Sequence, residues 1–486
     1  MKNDHQLSNL IYDFFLLRFH FQYYKYGDTL PPIETLCREF SVSPQTVKSA
    51  LRRLRAEGLI DMHNGRSTKV LYRQTDREFW ETIQQYFSAR QREYTDLFKT
   101  AEMIFTPLII EGFRRISSGE LEELAHYVHC ARVDHVLKFF CYVLQKLENP
   151  LTMNLYWETS MFFGLPFVGE KMIPNLRDPV EVSEALRKII SCSRERDWGH
   201  LNDAIVSYQR SSAKKALEKI YGRLPSQREQ EQVSFTWRIY YDRPQICYSL
   251  SMRLLHEIYI GEYRGERFLP SYEKMAGKYN VSVSTMRRTI RVITQMGAVE
   301  PVNGVGIRIL SVGETGRTPD FTSPAVRSNV ALFFQAFELV IYTSERVVPA
   351  AFKESDPGAV EELIRQLEEN RHSGRCEFTL WHLLIFIAQY SPLRGVREIY
   401  KKIYGLFLWG YPLKISHKKT SRNEQEDEQF TEHMLLFLRE GNFGKAEACF
   451  RELVARQFAV AEGYLFKCGM QPDELRISPS IRLMLD

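Results

Sequence analysis

Two groups of polar side chains in this chain share the spacing of a single helix face. Both groups occupy positions i, i+3, i+4 and i+7 and lie 239 residues apart: Gln45, Lys48, Ser49 and Arg52, then Ser284, Arg287, Arg288 and Arg291. Amide, hydroxyl and cationic side chains in this arrangement can donate hydrogen bonds to phosphate oxygens and to base edges. The pattern predicts two helices that each present a donor face to nucleic acid.

The residues around the first group predict the helix that must carry it. Ser43 is a good N-cap, Pro44 suits the first helical position, and Gly58 suits a left-handed residue that ends the helix. The buried stripes are predicted at i, i+4 and i+7, and comprise Val47, Leu51 and Leu54 in the first helix and Met286, Ile290 and Ile293 in the second.

The whole segment around each helix is repeated without a gap over some forty residues. The repeated identities are Leu30-Pro31 and Leu269-Pro270, Val42-Ser43 and Val281-Ser282, Thr46 and Thr285, Gly58 and Gly297, and Asn64-Gly65 and Asn303-Gly304. In the first copy a short helix is predicted at Ile33–Phe40. Each Asn-Gly pair stands between short apolar runs, which is a strong hairpin signal. Two helices, a turn and a hairpin predict a winged helix-turn-helix, written twice.

In such a module the second helix suits the major groove of double-stranded DNA, and the hairpin wing suits the backbone or the minor groove. The residues predicted to contact DNA in the first module are Ser43, Gln45, Thr46, Lys48, Ser49, Arg52, Asn64, Gly65 and Arg66. Those of the second module are Ser282, Ser284, Thr285, Arg287, Arg288, Arg291, Asn303 and Gly304.

Length, composition and charge agree with a DNA-binding protein of several domains. The chain has 486 residues, which suggests three or four domains, and a net charge of +5. Residues 1–75 hold 11 Lys and Arg against 7 Asp and Glu, and residues 245–312 hold 9 against 5. No apolar run reaches the roughly 18–20 residues that span a bilayer, and the N-terminus has no signal-peptide core. The eight Cys are scattered without a CxxC pair, which predicts reduced thiols in a cytoplasmic protein without membrane contact.

The expected fold class is mainly α, with two winged helix-turn-helix domains and two all-helical bundle domains in tandem duplication. The predicted domains are 1–75 and 245–312 for the modules, and 76–244 and 313–486 for the bundles. Each bundle has an apolar helix that meets a Pro-Leu step, at Pro150-Leu151 and at Pro392-Leu393. Near the C-terminus, Glu432–Leu438 leads through Gly441-Asn442 into a further helix, and its fainter copy is predicted at Asp203–Val206.

The repeated modules resemble the GntR family of bacterial transcriptional regulators. The residues that carry the resemblance are Leu30-Pro31, Val42-Ser43, Thr46-Val47-Lys48 and Glu57-Gly58-Leu59-Ile60, then Leu269-Pro270-Ser271, Val281-Ser282 and Thr285-Met286-Arg287. The resemblance implies a regulator that binds double-stranded DNA. Members of this family resemble two-fold dimers on palindromic sites, which implies either an intramolecular pseudo-dimer or a homodimer with four modules.

The sequence departs from the family pattern where bases are read. Pro44 and Val283 follow the two Val-Ser pairs, where the family often has Arg, and Glu34 and Glu273 lie near another frequent Arg position. Lys48 stands where the second copy has Arg287. Arg can bind guanine with two hydrogen bonds, whereas Lys acts closer to a point charge. The two modules are therefore expected to read different half-sites.

The helical segments resemble the FadR-type effector domain that follows many GntR modules, in which an acid and three His often hold a metal beside a carboxylate ligand. His382 and His433 fit two of those positions, whereas the first half has Phe140 and Asp203 there, and Leu453 stands at the last. Neither half carries a complete three-His set. A separate group, His126, His129, Cys130 and His135, lacks the spacing of a tetrahedral site. No metal and no cofactor are expected, and a small-molecule effector is expected with no assigned binding residues.

Enzyme classes are not supported by the motifs. The chain has no Gly-rich phosphate loop, no HExxH and no GxSxG nucleophile elbow. Two alternatives stay open beside the regulator. In one, a single module has lost DNA binding. In the other, the protein is a ligand-independent architectural or protein-interaction protein that uses winged helices as a scaffold.

Overall fold

The computed structural model describes residues 7–40, 42–63, 65–128, 133–164, 179–215, 218, 232–239, 246–310, 318–410, 412–413 and 421–476. The described residues form two compact units, one that ends at Ile239 and one from Ile246 to Arg476. Both units begin with a small helical module and continue as a helical bundle. Within the described residues, no helix is both long enough and apolar enough to cross a bilayer.

The first module has three helices and a short hairpin. Its elements are α1 (Leu7–His20), α2 (Ile33–Phe40), α3 (Pro44–Ala56), β1 (Ile60–Asp61) and β2 (Lys69–Val70). Helix α3 packs on both α1 and α2. It ends where Gly58 takes a φ of +73°, which only glycine adopts readily, and the Leu59 N–H bonds back to the Leu54 carbonyl at 2.9 Å. These elements form a winged helix-turn-helix at the N-terminus.

The second unit opens with elements of the same kind. They are α11 (Ile246–Tyr259), β3 (Phe268–Leu269), α12 (Tyr272–Tyr279), α13 (Val283–Gln295), β4 (Val299–Val302) and β5 (Gly306–Ile309). The bounds of its three helices equal those of α1, α2 and α3 displaced by 239 residues. The strands form an antiparallel sheet in the order β3-β5-β4, with Val299 opposite Ile309 and Leu269 opposite Ile307.

Backbone hydrogen bonds recur with the same displacement. Ala298 N–H bonds to the Ile293 carbonyl at 2.9 Å, as Leu59 does to Leu54. Leu310 N–H bonds to the Ala298 carbonyl at 3.1 Å, as Leu71 does to Leu59. The strands of the two hairpins differ in length: β1 and β2 have two residues each, and β4 and β5 have four.

The bundle of the first unit follows its hairpin. Its helices are α4 (Asp76–Ser88), α5 (Gln91–Arg115), α6 (Ser118–His126), α7 (Val133–Gln145), α8 (Pro150–Phe162), α9 (Pro179–Arg194) and α10 (Trp198–Tyr208). Helix α10 packs on α9 and α5, and α7 packs on α5 and α8. Asn149 caps α8 through the Thr152 N–H at 3.0 Å, so the Pro-Leu step marks the start of a new helix.

Within the described residues, the bundle of the second unit also has seven α-helices. They are α14 (Pro324–Glu354), α15 (Pro357–His372), α16 (Thr379–Tyr390), α17 (Arg394–Phe407), α18 (Ser421–Arg439), α19 (Phe443–Lys467) and the single turn α20 (Pro472–Leu475). Helix α14 packs along α19, and α16 packs on α17. The longest helix of each bundle, α5 and α14, carries an internal proline, Pro107 or Pro349.

The predicted copy of Glu432–Leu438 at Asp203–Val206 is wrong. Asp203 lies inside α10, after the turn, whereas Glu432 lies in α18, before its turn. The turn that corresponds to Gly441-Asn442 is Arg196-Asp197, since Arg196 and Gly441 both have positive φ and Asp197 and Asn442 both cap the next helix. A local apolar match misled the prediction, because capping turns define the helix ends.

Candidate nucleic-acid interface

The start of helix α3 is fixed by its own side chains. The Thr46 N–H donates to Ser43 Oγ at 3.3 Å, and the two hydroxyl oxygens lie 2.9 Å apart. Pro44 occupies the first turn, as predicted. Ser282 and Thr285 repeat this cap at the start of α13, with distances of 3.1 and 2.9 Å. These four hydroxyl groups stabilise the starts of α3 and α13. They therefore have a structural role besides the DNA contacts predicted for them.

Helix α3 buries one face and exposes the other. Val47, Leu51 and Leu54 are buried, which confirms the predicted stripe, and Ala50 joins them. The predicted donor face is exposed along its length, at Gln45, Lys48, Ser49 and Arg52. A helix that is anchored on one side and exposed on the other can enter a groove without losing its core contacts.

Helix α13 has the same two faces. Its buried residues include the predicted Met286, Ile290 and Ile293, together with Thr289 and Val292. Its exposed residues include the predicted Ser284, Arg287, Arg288 and Arg291. The predicted donor face of α13 has three guanidinium groups, whereas that of α3 has two cations, Lys48 and Arg52. Helix α3 carries two further exposed cations outside that face, Arg53 and Arg55.

The cations of both faces are available for an anionic partner. Within the described residues, Lys48, Arg52, Arg288 and Arg291 form no ion pair, and Arg287 lies 5.7 Å from the centre of the Tyr272 ring. A cation that forms an ion pair with Asp or Glu must break that ion pair before it binds phosphate. The free cations therefore suit phosphate contacts and base contacts.

One arginine of α3 has a structural role that the sequence did not reveal. The Arg53 guanidinium lies 3.6 Å from the centre of the Tyr12 ring and its Nε lies 3.3 Å from Glu57 Oε1. Tyr12 Oη donates to Glu57 Oε2 at 2.6 Å, and burial together with that carboxylate raises the pKa of Tyr12 to about 12. These contacts fasten α1 to α3. The missed signal was the apolar spacing of α1, where Leu10, Ile11, Phe14 and Phe15 are buried.

The hairpins bring the predicted wing residues to exposed positions. Gly65 and Gly304 have φ of +75° and +74°, in the left-handed region that an Asn-Gly turn requires. Arg66 and Asn303 are exposed, and Asn64 lies outside the described residues. The tips of both hairpins are therefore exposed, as a groove contact requires, whereas Ile60, Val70, Val299 and Ile307 of their strands are buried.

A metal site has no support among the described residues, where no group of three His, Cys, Asp or Glu could hold an ion. His382 Nδ1 lies 3.1 Å from Gln366 Oε1, and the His433 ring stacks on Phe437. His126 Nδ1 lies 3.1 Å from the Glu122 carbonyl oxygen, while His129, Cys130 and the side chain of His135 lie outside the described residues.

Comparison with known proteins assigns the N-terminal module. Residues 21–70 match the family model of bacterial regulatory proteins, gntR family, which confirms the resemblance read from the motifs. The match begins directly after α1 and includes α2, α3 and the hairpin. It does not extend to the second module or to the bundles. No curated protein matches the chain.

Three solved structures are similar to parts of the chain. Streptococcus agalactiae GntR is 18% identical with a TM-score of 0.20, over 44% of this chain and 100% of that one. E. coli McbR/YncC is 13% identical with a TM-score of 0.24, over 46% and 100%. Lar, which controls the expression of the Listeria monocytogenes agr system and mediates virulence, is 15% identical with a TM-score of 0.20, over 46% and 99%. The assignment rests on the family match and not on these similarities.

Proposed function

We propose that this chain, whose residues 21–70 form a helix-turn-helix domain of the GntR family of bacterial regulatory proteins, is a transcription regulator that binds DNA through two winged-helix modules. The observation that supports the second module is the recurrence of a capped helix with an exposed, unpaired donor face 239 residues after the first. A scaffold protein has no need for two free cationic faces at matched positions. A regulator of bacterial DNA works in the cytoplasm, where we place this protein.

The two modules would read different sequences. Gln45 and Lys48 on α3 correspond to Ser284 and Arg287 on α13. Glutamine pairs best with adenine, and arginine binds the O6 and N7 of guanine with two hydrogen bonds. Lysine contributes mainly charge. An operator with two unlike half-sites is therefore expected, and one with two identical inverted half-sites would contradict this proposal.

The helical bundles would supply control and assembly. A small-molecule effector that binds a bundle more tightly in one arrangement would change the affinity of the modules for DNA by population shift. One chain with two modules can occupy two half-sites as a pseudo-dimer, and a homodimer of chains would protect a longer stretch of DNA. Footprint length therefore distinguishes the two assemblies.

Selection of genomic fragments by the purified full chain, followed by footprinting of the selected site, tests the proposal. The variants are Lys48→Ala/Arg52→Ala and Arg287→Ala/Arg291→Ala. The matched control removes two exposed cations of the bundles, Arg194→Ala/Arg365→Ala, whose surface ion pairs contribute little to stability. We expect the selection to give one discrete site. Both module variants should bind this site more weakly than the wild type, and the control variant should bind it equally well.

Two results would overturn the proposal in different ways. Sensitivity to the first pair alone would mean that the second module has a structural role. The absence of any selected site would favour the architectural or protein-interaction alternative. In both cases circular dichroism of each variant establishes that the helices are retained.

A further inference from the structure

The two wings differ in charge at matched positions. The first wing is residues 60–70 and the second wing is residues 299–309, and each position of the second lies 239 residues after its counterpart. His63, Arg66 and Lys69 of the first wing correspond to Val302, Val305 and Arg308 of the second. The first wing thus has three basic or titratable residues where the second has two valines and one arginine.

The first wing presents a free guanidinium at its tip. Arg66 is exposed and, within the described residues, forms no ion pair. Its N–H bonds to the His63 carbonyl at 3.3 Å, which fixes the turn beside Gly65. The one carboxylate of this wing, Asp61, lies 2.9 Å from His63 Nε2, and Lys69 Nζ donates to Thr29 Oγ1 at 2.6 Å. No carboxylate of the wing therefore offsets Arg66.

The second wing presents an uncharged apolar tip. Val305 is 65% exposed, the largest exposed fraction among the large hydrophobic residues of the described chain. Its N–H bonds to the Val302 carbonyl at 3.1 Å, and it stands between Gly304 and Gly306. The nearby Arg308 is neutralised, because its Nη2 lies 2.8 Å from Glu300 Oε1 across the hairpin. The tip therefore carries no free cation.

A·T-rich DNA has a narrow minor groove with an enhanced negative potential, and an arginine that enters this groove is bound more tightly than in a wide groove. An uncharged tip gains nothing from that potential. Resting on the proposed function, in which both wings reach DNA, we propose that Arg66 makes the operator A·T-selective on the flank beside the first module's half-site, whereas Val305 leaves the flank beside the second half-site without that selectivity.

The test measures flank preference rather than overall affinity. Fluorescence anisotropy is recorded for four forms of the selected operator, in which each flank is either an A-tract or a G·C run of equal length. The proteins are the wild type, Arg66→Val, Val305→Arg and the double exchange. For the wild type we expect a preference for the A-tract of about tenfold on the first flank and little on the second, as for one base-specific contact.

The exchange variants should move the preference from one flank to the other. Arg66→Val is expected to abolish the A-tract preference on the first flank, and Val305→Arg to create one on the second. Because both residues are exposed, the substitutions should change the midpoint of thermal unfolding little. The same measurement detects any variant that has lost its fold. A first-flank preference that survives Arg66→Val, or an equal preference on both flanks of the wild type, would overturn the inference.

Failure of the proposed function has a separate signature. If only the first module binds DNA, scrambling the second half-site will not change the affinity. The comparison of the wild type with Arg66→Val can still be made on the first half-site and its flank. If neither module binds any fragment, the inference fails together with the function. If the Val305 tip contacts a protein partner instead of DNA, Val305→Arg will not change the A-tract preference on either flank. This result would also contradict the inference.

Discussion

The surroundings of His382 show what a single side chain contributes to the second unit. Its Nδ1 lies 3.1 Å from Gln366 Oε1 on the neighbouring helix α15. Burial, followed by the positive charges of Arg264 and Arg375, lowers its pKa to about 4. Arg375 also donates to the Tyr259 carbonyl at the end of α11, at 3.0 Å. The neutral imidazole thus lies in the bundle close to groups that contact the module-like helix α11.

Acidification is expected to destabilise the second unit through His382. The unfolded imidazole, with a pKa of roughly 6.5, takes up a proton well before the folded one does. Between about pH 6.5 and 4 the unfolded state therefore binds more protons, so the free energy of unfolding falls as the pH falls, by about 2 kcal/mol. Urea unfolding of the full chain across this range measures the change.

The matched variants for this prediction are His382→Phe and His372→Phe. The first variant introduces phenylalanine, the residue type that the first half has at the matching position, Phe140. The second variant changes an exposed histidine. His382→Phe should reduce the decrease in stability on acidification, and His256, whose pKa burial also lowers, accounts for a further part of it. His372→Phe should keep the full decrease. An unchanged pH dependence in His382→Phe would show that other groups cause the decrease.

At the level of elements, the segment 232–239, which forms neither helix nor strand, contacts both the module and the bundle of the first unit. Trp237 is buried and its Nε1 donates to Asn154 Oδ1 on α8 at 2.8 Å. Arg238 Nη1 lies 2.7 Å from Asp13 on α1, and its Nε lies 2.9 Å from Glu158 on α8. The guanidinium therefore links a helix of the winged module with a helix of the bundle.

Removal of that guanidinium should destabilise the first unit. Glu158 is 3% exposed at its side chain, so Arg238→Met takes the guanidinium from a buried carboxylate, at a cost of roughly 3 kcal/mol. The double variant Arg238→Met/Glu158→Gln should recover much of that loss, because the buried charge is gone. Chemical unfolding followed by Trp fluorescence measures both. A double variant no more stable than the single one would contradict this account of the contact.

The sequence predicted the first module well because its signals are local. Ser43, Pro44 and Gly58 define the ends of α3 within a few residues, and the apolar spacing identifies the buried face. The wing strands were harder, since β1 and β2 hold only two residues each. The contacts of Trp237 and Arg238 could not be predicted, because their partners lie 80 or more residues away.

For the whole molecule, the proposal that both modules bind DNA predicts an additive dependence of affinity on salt. Each cation that contacts a phosphate releases counterions from the DNA. The magnitude of the negative slope of the log association constant against log salt should therefore become smaller by about 1 for each such residue removed. Lys48→Ala/Arg52→Ala and Arg287→Ala/Arg291→Ala should each lower the slope by up to about 2. Anisotropy titrations from low to high salt measure the slopes. A slope unaffected by the second pair would mean that α13 makes no phosphate contact.

The central claim is that each module reads its own half of one asymmetric operator. The most direct test is a matrix of affinities in which wild type and the two double variants each meet the intact operator and two forms with one half scrambled. We predict that each double variant loses little more affinity when its own half-site is scrambled, and loses much more when the other half is scrambled. Equal further losses for both scrambled forms, in either variant, would contradict the claim.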